Sequence, residues 1–105
     1  MTAYEKGACF ERKIKKFLQK KGWFVSRSAG SKGLVDLTAC RRVPLGSPPV
    51  VFFIQAKLGA VSYPELERLT FLAEEYGAIP ILARRRVRAA YIQFVDLRTM
   101  KELNL

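Results

Sequence analysis

The chain has 105 residues, half of them hydrophobic, and carries 19 Lys and Arg against 9 Asp and Glu, for a net charge of +10 with no histidine. This length and composition suit one domain over residues 1–105 with its own core, and exclude a disordered, collagenous or low-complexity chain. The missing histidines exclude Ser-His-Asp and Cys-His nucleophilic sites, histidine bases and His-containing zinc sites, while two cysteines, Cys9 and Cys40, are too few for a disulfide framework. Any catalysis must rest on carboxylates, lysine or thiols. So large a positive surplus on a small body fits a polyanion partner, most often nucleic acid, with a generic basic surface as the plain alternative. The opening MTAYEKGACFERK is too charged for a signal peptide, and no apolar run approaches the ~20 residues that span a bilayer. The expectation is a soluble cytoplasmic protein with no membrane partner.

In chain order, Phe10, Ile14, Phe17 and Leu18 fall at helical spacing within residues 4–21, with Lys13, Lys15, Lys16 and Lys20 on the other face, and Gly22 ends the helix. Trp23–Arg27 reads as a short strand, Ser28–Gly33 as a Gly/Ser turn and Leu34–Cys40 as a second strand. A Pro/Gly/Ser loop over Arg41–Pro49 leads to Val50–Lys57, whose VVFFIQAK run predicts a buried central strand. Pro64 sits in the first turn of a second helix, with Glu65 and Glu67 near its positive end, Leu66, Leu69, Leu72 and Tyr76 on one side, and Gly77 closing it. Ile79–Ala83 and Tyr91–Val95 supply two more strands around RRRVR, and Asp96–Leu103 reads as a short terminal helix. The order α-β-β-β-α-β-β-α predicts an α/β domain, a central mixed five-stranded sheet flanked by helices.

Three positions stand where chemistry needs them. Glu11 lies about 60° from the middle of the apolar stripe of the first helix, at the border of its buried face; the plain alternative is a cap or a salt bridge. Asp36 interrupts the apolar run LVDLTAC, and a buried carboxylate is costly unless paired or bound to a metal. Gln55 and Lys57, two apart at the end of the central strand, emerge on one face. Together these residues can converge on a metal-bound water: carboxylates hold Mg²⁺, which polarises a phosphate, and lysine orients or deprotonates the water. Lys13, Lys16 and Lys20, Arg41 and Arg42, and Arg84, Arg85, Arg86 and Arg88 can cradle a phosphate backbone. No base-reading helix is evident, so recognition by shape is expected.

The segments Gly7-x-x-x-Glu11-Arg12, Arg27-Ser28-Ala29-Gly30-Ser31-Lys32-Gly33-Leu34-Val35-Asp36-Leu37 and Gln55-x-Lys57 resemble archaeal-type Holliday junction resolvases of the PD-(D/E)XK nuclease superfamily. The resemblance continues through Tyr76-Gly77-Ala78-Ile79-Pro80-Ile81-Leu82-Ala83. It implies a restriction-endonuclease-like core and a Mg²⁺-dependent endonuclease, with Mn²⁺ as substitute, cutting branched double-stranded DNA as a homodimer. Glu11, Asp36 and Gln55 would surround the metal, and Lys57 would be the catalytic lysine. Arg12 and Arg27 would contact DNA phosphates, with Ser28, Ser31 and Lys32 in the same loop. Leu72 and Tyr76 match the dimer contact, although Leu72 departs from the family's aromatic residue. The larger departure is Gln55, where the family usually has glutamate, so the site loses a negative charge and metal affinity should fall. Two other readings stand beside this one, a restriction-like or repair nuclease for another DNA structure and a junction-binding protein with weakened catalysis.

Overall fold

The computed structural model describes residues 1–28, 33–42, 44–85 and 91–105. Helix α1 (Ala3–Lys20) opens with a capping box, in which Glu5 N–H donates to Thr2 Oγ1 at 3.1 Å and the Glu5 carboxylate accepts from the Thr2 backbone. It buries Ala8, Phe10, Ile14 and Leu18. Gly22, with φ near +90°, supplies the left-handed residue that lets Trp23 N–H reach the Leu18 carbonyl and turns the chain into the sheet.

Strands β1 (Phe24–Arg27), β2 (Leu37–Arg41) and β3 (Val50–Lys57) form an antiparallel meander. Helix α2 (Tyr63–Glu75) then crosses over to β4 (Ile79–Arg85), which runs parallel to β3, and β5 (Ile92–Asp96) and β6 (Lys101–Leu103) complete a second antiparallel meander. The six strands lie in the sheet in chain order. The two helices cover opposite faces. On the α1 face, Phe10, Ile14 and Leu18 pack with Trp23, Val25, Leu37, Phe52, Ile54, Ile81 and Phe94; on the α2 face, Leu66 and Leu69 pack with Leu82, Leu97 and Phe53. Because β3 and β4 are covered on both sides, both read as nearly continuous apolar runs. Each fully buried aliphatic or aromatic side chain here contributes about 1.5–3 kcal/mol.

The mixed α/β architecture with two flanking helices agrees with the expectation, but the sheet has six strands and the terminal helix is absent. Residues 97–100 form one turn instead. Asp96 organises it: its carbonyl accepts from Met100 N–H at 2.7 Å, and its Oδ1 accepts from Arg98 N–H at 2.9 Å. Met100, with φ +60°, then reverses the chain and Lys101–Leu103 pairs with β5. DLRTMKEL carries a helix-like start, yet one isolated turn fixes many dihedrals for few hydrogen bonds, and the free edge of β5 offers backbone partners at once.

Candidate active site

The end of β3 and the first turn of α2 enclose an open cleft of about 430 Å³, lined by Gly33, Leu34, Asp36, Gln55, Lys57, Glu65 and Arg68. Alternation along β3 decides what reaches it: Phe52, Ile54 and Ala56 turn towards α1, so Gln55 and Lys57 share the α2 face, as their spacing predicts. Gln55 sits in the middle of the sheet and is only 4% exposed. Its Nε2 donates to Glu65 Oε2 at 3.2 Å, whereas its Oε1 is buried with no hydrogen-bond partner. Leaving a buried polar atom unsatisfied costs about 1–3 kcal/mol, so this oxygen is poised to accept a ligand, a donor or a cation.

Asp36 immediately precedes β2. Its carbonyl accepts from Ser28 N–H at 2.9 Å and its own N–H donates to the Ile54 carbonyl at 2.8 Å, which pins it against both neighbouring strands. The side-chain Oδ2 accepts from Ala56 N–H at 2.8 Å. Burial holds the Asp36 carboxyl above its usual value; the Ala56 hydrogen bond opposes this, Glu11 adds to it, Lys57 opposes it and Glu65 adds to it. Burial is thus what chiefly disfavours the Asp36 carboxylate, and a cation bound beside it would offset that cost. Lys57 Nζ lies 3.4 Å from Glu65 Oε2.

Glu11 is only partly part of this assembly. It comes from α1, on the other face of the sheet, and lines a separate cavity of about 170 Å³ with Tyr4, Gly7, Arg27 and Ser28. There it accepts from Arg27 Nε at 2.8 Å, with the two side chains 18% and 14% exposed. The salt bridge named as its plain alternative is thus realised, while its charge is still felt at Asp36. Among the described residues no three acidic or thiol side chains stand close enough to cage a metal. The Asp36 carboxylate and the orphan Gln55 oxygen are nevertheless hard donors on one cleft. Mg²⁺ commonly takes one or two protein carboxylates and completes its shell with water and substrate phosphate, so this donor set fits such an ion.

The basic positions surround the cleft unevenly. Arg12, Lys13 and Lys16 are exposed on α1, and Lys13 shares a surface cavity with Lys6 and Arg85. Arg84, also exposed, is the register partner of Lys57. Arg41 stacks on Trp23 and donates to the Lys21 carbonyl at 3.3 Å. Ser31, Lys32, Arg86 and Arg88 lie outside the described residues. On α2, Tyr76 is exposed while Leu72 is half-buried; the exposed aromatic nearby is Phe71. Sequence reading missed Glu65 and Arg68 as cleft residues. Glu65 registers in sequence as a helix N-terminal acid, and the one available signal is the shortness of the connection from Lys57 to Ser62.

The family model for archaeal Holliday junction resolvases (Hjc) matches residues 2–104 of this chain. A protein of Methanocaldococcus jannaschii named crossover junction endodeoxyribonuclease Hjc is 38% identical over 85 residues, which cover 76% of this chain and 59% of that protein. The match thus spans less than two thirds of the relative's length. The structure of Archaeoglobus fulgidus Hjc, described as a Holliday junction resolvase, superposes with a TM-score of 0.66 at 28% identity, covering 88% of this chain and 78% of the other.

Proposed function

The chain belongs to the archaeal Holliday junction resolvase family, and from that membership we propose that it is a divalent-metal-dependent endonuclease that resolves four-way DNA junctions by paired phosphodiester hydrolysis. The observation that carries this reading is the buried, partnerless Oε1 of Gln55 beside Asp36 and Lys57 on one cleft. Asp36 and Gln55 Oε1 would hold Mg²⁺, or Mn²⁺ in its place. Bound there, the ion would neutralise developing charge and lower the pKa of a water. Lys57 Nζ, at the cleft wall, orients or deprotonates the attacking water and stabilises the charge that builds on the phosphate. Glu11, held by Arg27, adds negative charge from the opposite side of the sheet.

Backbone recognition falls to the exposed cations. Lys13 and Lys16 on α1 and Arg84, Arg85 and Arg86 contact phosphates by their charge, and Arg12, Arg27, Ser28 and Ser31, with Lys32 in the same loop, do so by resemblance. Affinity should therefore fall steeply with salt. A symmetric homodimer suits a junction with two equivalent strands. Half-buried Leu72 and, four residues on, the exposed Tyr76 that caps α2 are the contact the resemblance implies, while exposed Phe71 lies on another side of the helix. An enzyme acting on DNA junctions works where the DNA is, which for this family's reading is the cytoplasm; among the described residues no helix is long and apolar enough to cross a membrane.

The test is cleavage of a synthetic four-way junction beside matched duplex and flap DNA, in Mg²⁺ and in Mn²⁺, with Asp36→Asn as control. Paired symmetric nicks on the junction alone, lost in Asp36→Asn, support the resolvase. Nicks on flap or duplex favour a repair-type nuclease. Tight junction binding without nicks favours a binding protein, the reading that the amide at position 55 itself suggests.

A further inference from the structure

The two helices open with the same device, Thr2-x-x-Glu5 in α1 and Ser62-x-x-Glu65 in α2. In α1 the box closes: Glu5 Oε1 accepts from the Thr2 hydroxyl at 3.1 Å and from its backbone N–H at 3.5 Å. In α2 the Ser62 hydroxyl accepts from Glu65 N–H at 3.5 Å, but the Glu65 carboxylate turns to β3. Its Oε2 lies 3.2 Å from Gln55 Nε2 and 3.4 Å from Lys57 Nζ. A helix acid that leaves its own cap for a cleft is held there by something other than helix stability.

The Gln55 amide shows what that arrangement does. With Nε2 directed at Glu65, Oε1 is left buried without a partner, on a residue that lines the same cleft as Glu65 and Asp36. The opposite amide orientation would set an oxygen against a carboxylate. A glutamate at position 55 would do the same, placing two carboxylates about 3 Å apart, where they cannot both ionise easily. An amide at position 55 and a carboxylate at position 65 therefore belong together.

We propose that Glu65 supplies the carboxylate that strand position 55 lacks, so that Asp36, Glu65 and Gln55 Oε1 together hold the divalent cation while Gln55 Nε2 positions Glu65. This rests on the metal-dependent reading above. Glu65 restores to the site the charge that the amide removes, and it pairs with Lys57 in the cleft when no cation is present.

The experiment titrates Mn²⁺ against the full chain and follows free Mn²⁺ by electron paramagnetic resonance, with melting points confirming that each variant is folded. Glu65→Gln should weaken Mn²⁺ binding at least about tenfold, the smallest loss typical even of outer partners at metal sites. Glu67→Gln, an exposed change of equal charge on the same helix, should leave the affinity within about twofold, because charge on a solvated face is screened. The exchange Gln55→Glu with Glu65→Gln should recover the affinity to within about threefold, since coupled positions compensate. Glu65→Gln binding as wild type, weakening no further than Glu67→Gln, or remaining unrescued by the exchange, overturns the proposal. Asp36→Asn separates the two ideas. If it loses Mn²⁺ and Glu65→Gln does not, only Glu65 falls; if the wild-type chain binds no Mn²⁺ at all, the metal-dependent reading falls too.

Discussion

Replacing Arg27 by Met keeps most of the apolar stem but strands the Glu11 carboxylate. The pair it breaks is short, at 2.8 Å, and mostly out of water, with 14% and 18% of the two side chains exposed. Removing one partner of a fully buried ion pair costs about 3–5 kcal/mol, and the residual exposure here lowers that to about 2–3 kcal/mol. For a domain of this size each kcal/mol moves the melting midpoint by about 4–8 °C, so Arg27→Met should melt roughly 10–20 °C below wild type. Glu11→Gln/Arg27→Met removes the stranded charge as well and should regain at least about 1 kcal/mol relative to Arg27→Met alone. Urea unfolding of the four proteins in the cycle, repeated at high salt, is the assay; the coupling should change little with salt because few of these atoms meet solvent. Additivity of the two single changes to within about 0.5 kcal/mol would refute the claim that Arg27 holds Glu11 in place.

Lys57→Ala should abolish junction cleavage while leaving junction affinity, measured by gel shift, within a few-fold, since one phosphate contact among many contributes modestly; equal loss of both would move Lys57 into binding or folding. The Arg98 side chain holds the Asp96 carboxyl below its usual value of 3.8, against the opposing effect of burial. Its folded value is depressed, so its contribution is fully present at neutral pH and fades as pH falls below 3.8 through the lower folded value. The stability gap between wild type and Asp96→Asn should thus be level near neutrality and narrow in acid, as read by denaturant unfolding across pH; a gap that widens in acid would refute the assignment. Tyr76→Ser should weaken the proposed homodimer in sedimentation equilibrium while leaving unfolding stability within about 1 kcal/mol, because the ring is exposed; an unchanged association state would refute that contact.

What was legible in the sequence follows from period. The alternation in VVFFIQAK places Gln55 and Lys57 on one face, and the apolar stripe of α1 sets Glu11 at the edge of its buried side, both without knowledge of the partner elements. Asp36 was conspicuous because a carboxylate in an apolar run demands a reason. The failures are tertiary. Glu65 reaches the cleft only because α2 begins directly over the end of β3, and no local pattern encodes that. Glu11 and Asp36 approach from opposite faces of the sheet and line separate cavities, an arrangement that the period of neither element encodes. Phe71 and Leu72 differ by one residue, about 100° of helix, which is enough to exchange a half-buried side chain for an exposed one. In the terminal segment the helix-start residues serve a single turn into β6 instead of a helix.

The strands lie in the sheet in chain order, so almost every strand contact is made between neighbours in sequence. Each meander, β1–β3 and β4–β6, pairs through connections of four to nine residues, and closure entropy grows only slowly over such lengths. The parallel β3–β4 pair is different, because it waits for α2 to cross the sheet. Folding kinetics should then divide, with hairpin formation fast in both halves and their docking slow. The cleft is assembled where α2 meets the first half, from residues of β3 and of the approach to β2 and from Glu65 and Arg68 of the connecting helix. A chain stalled before docking would have most of its secondary structure and none of its site.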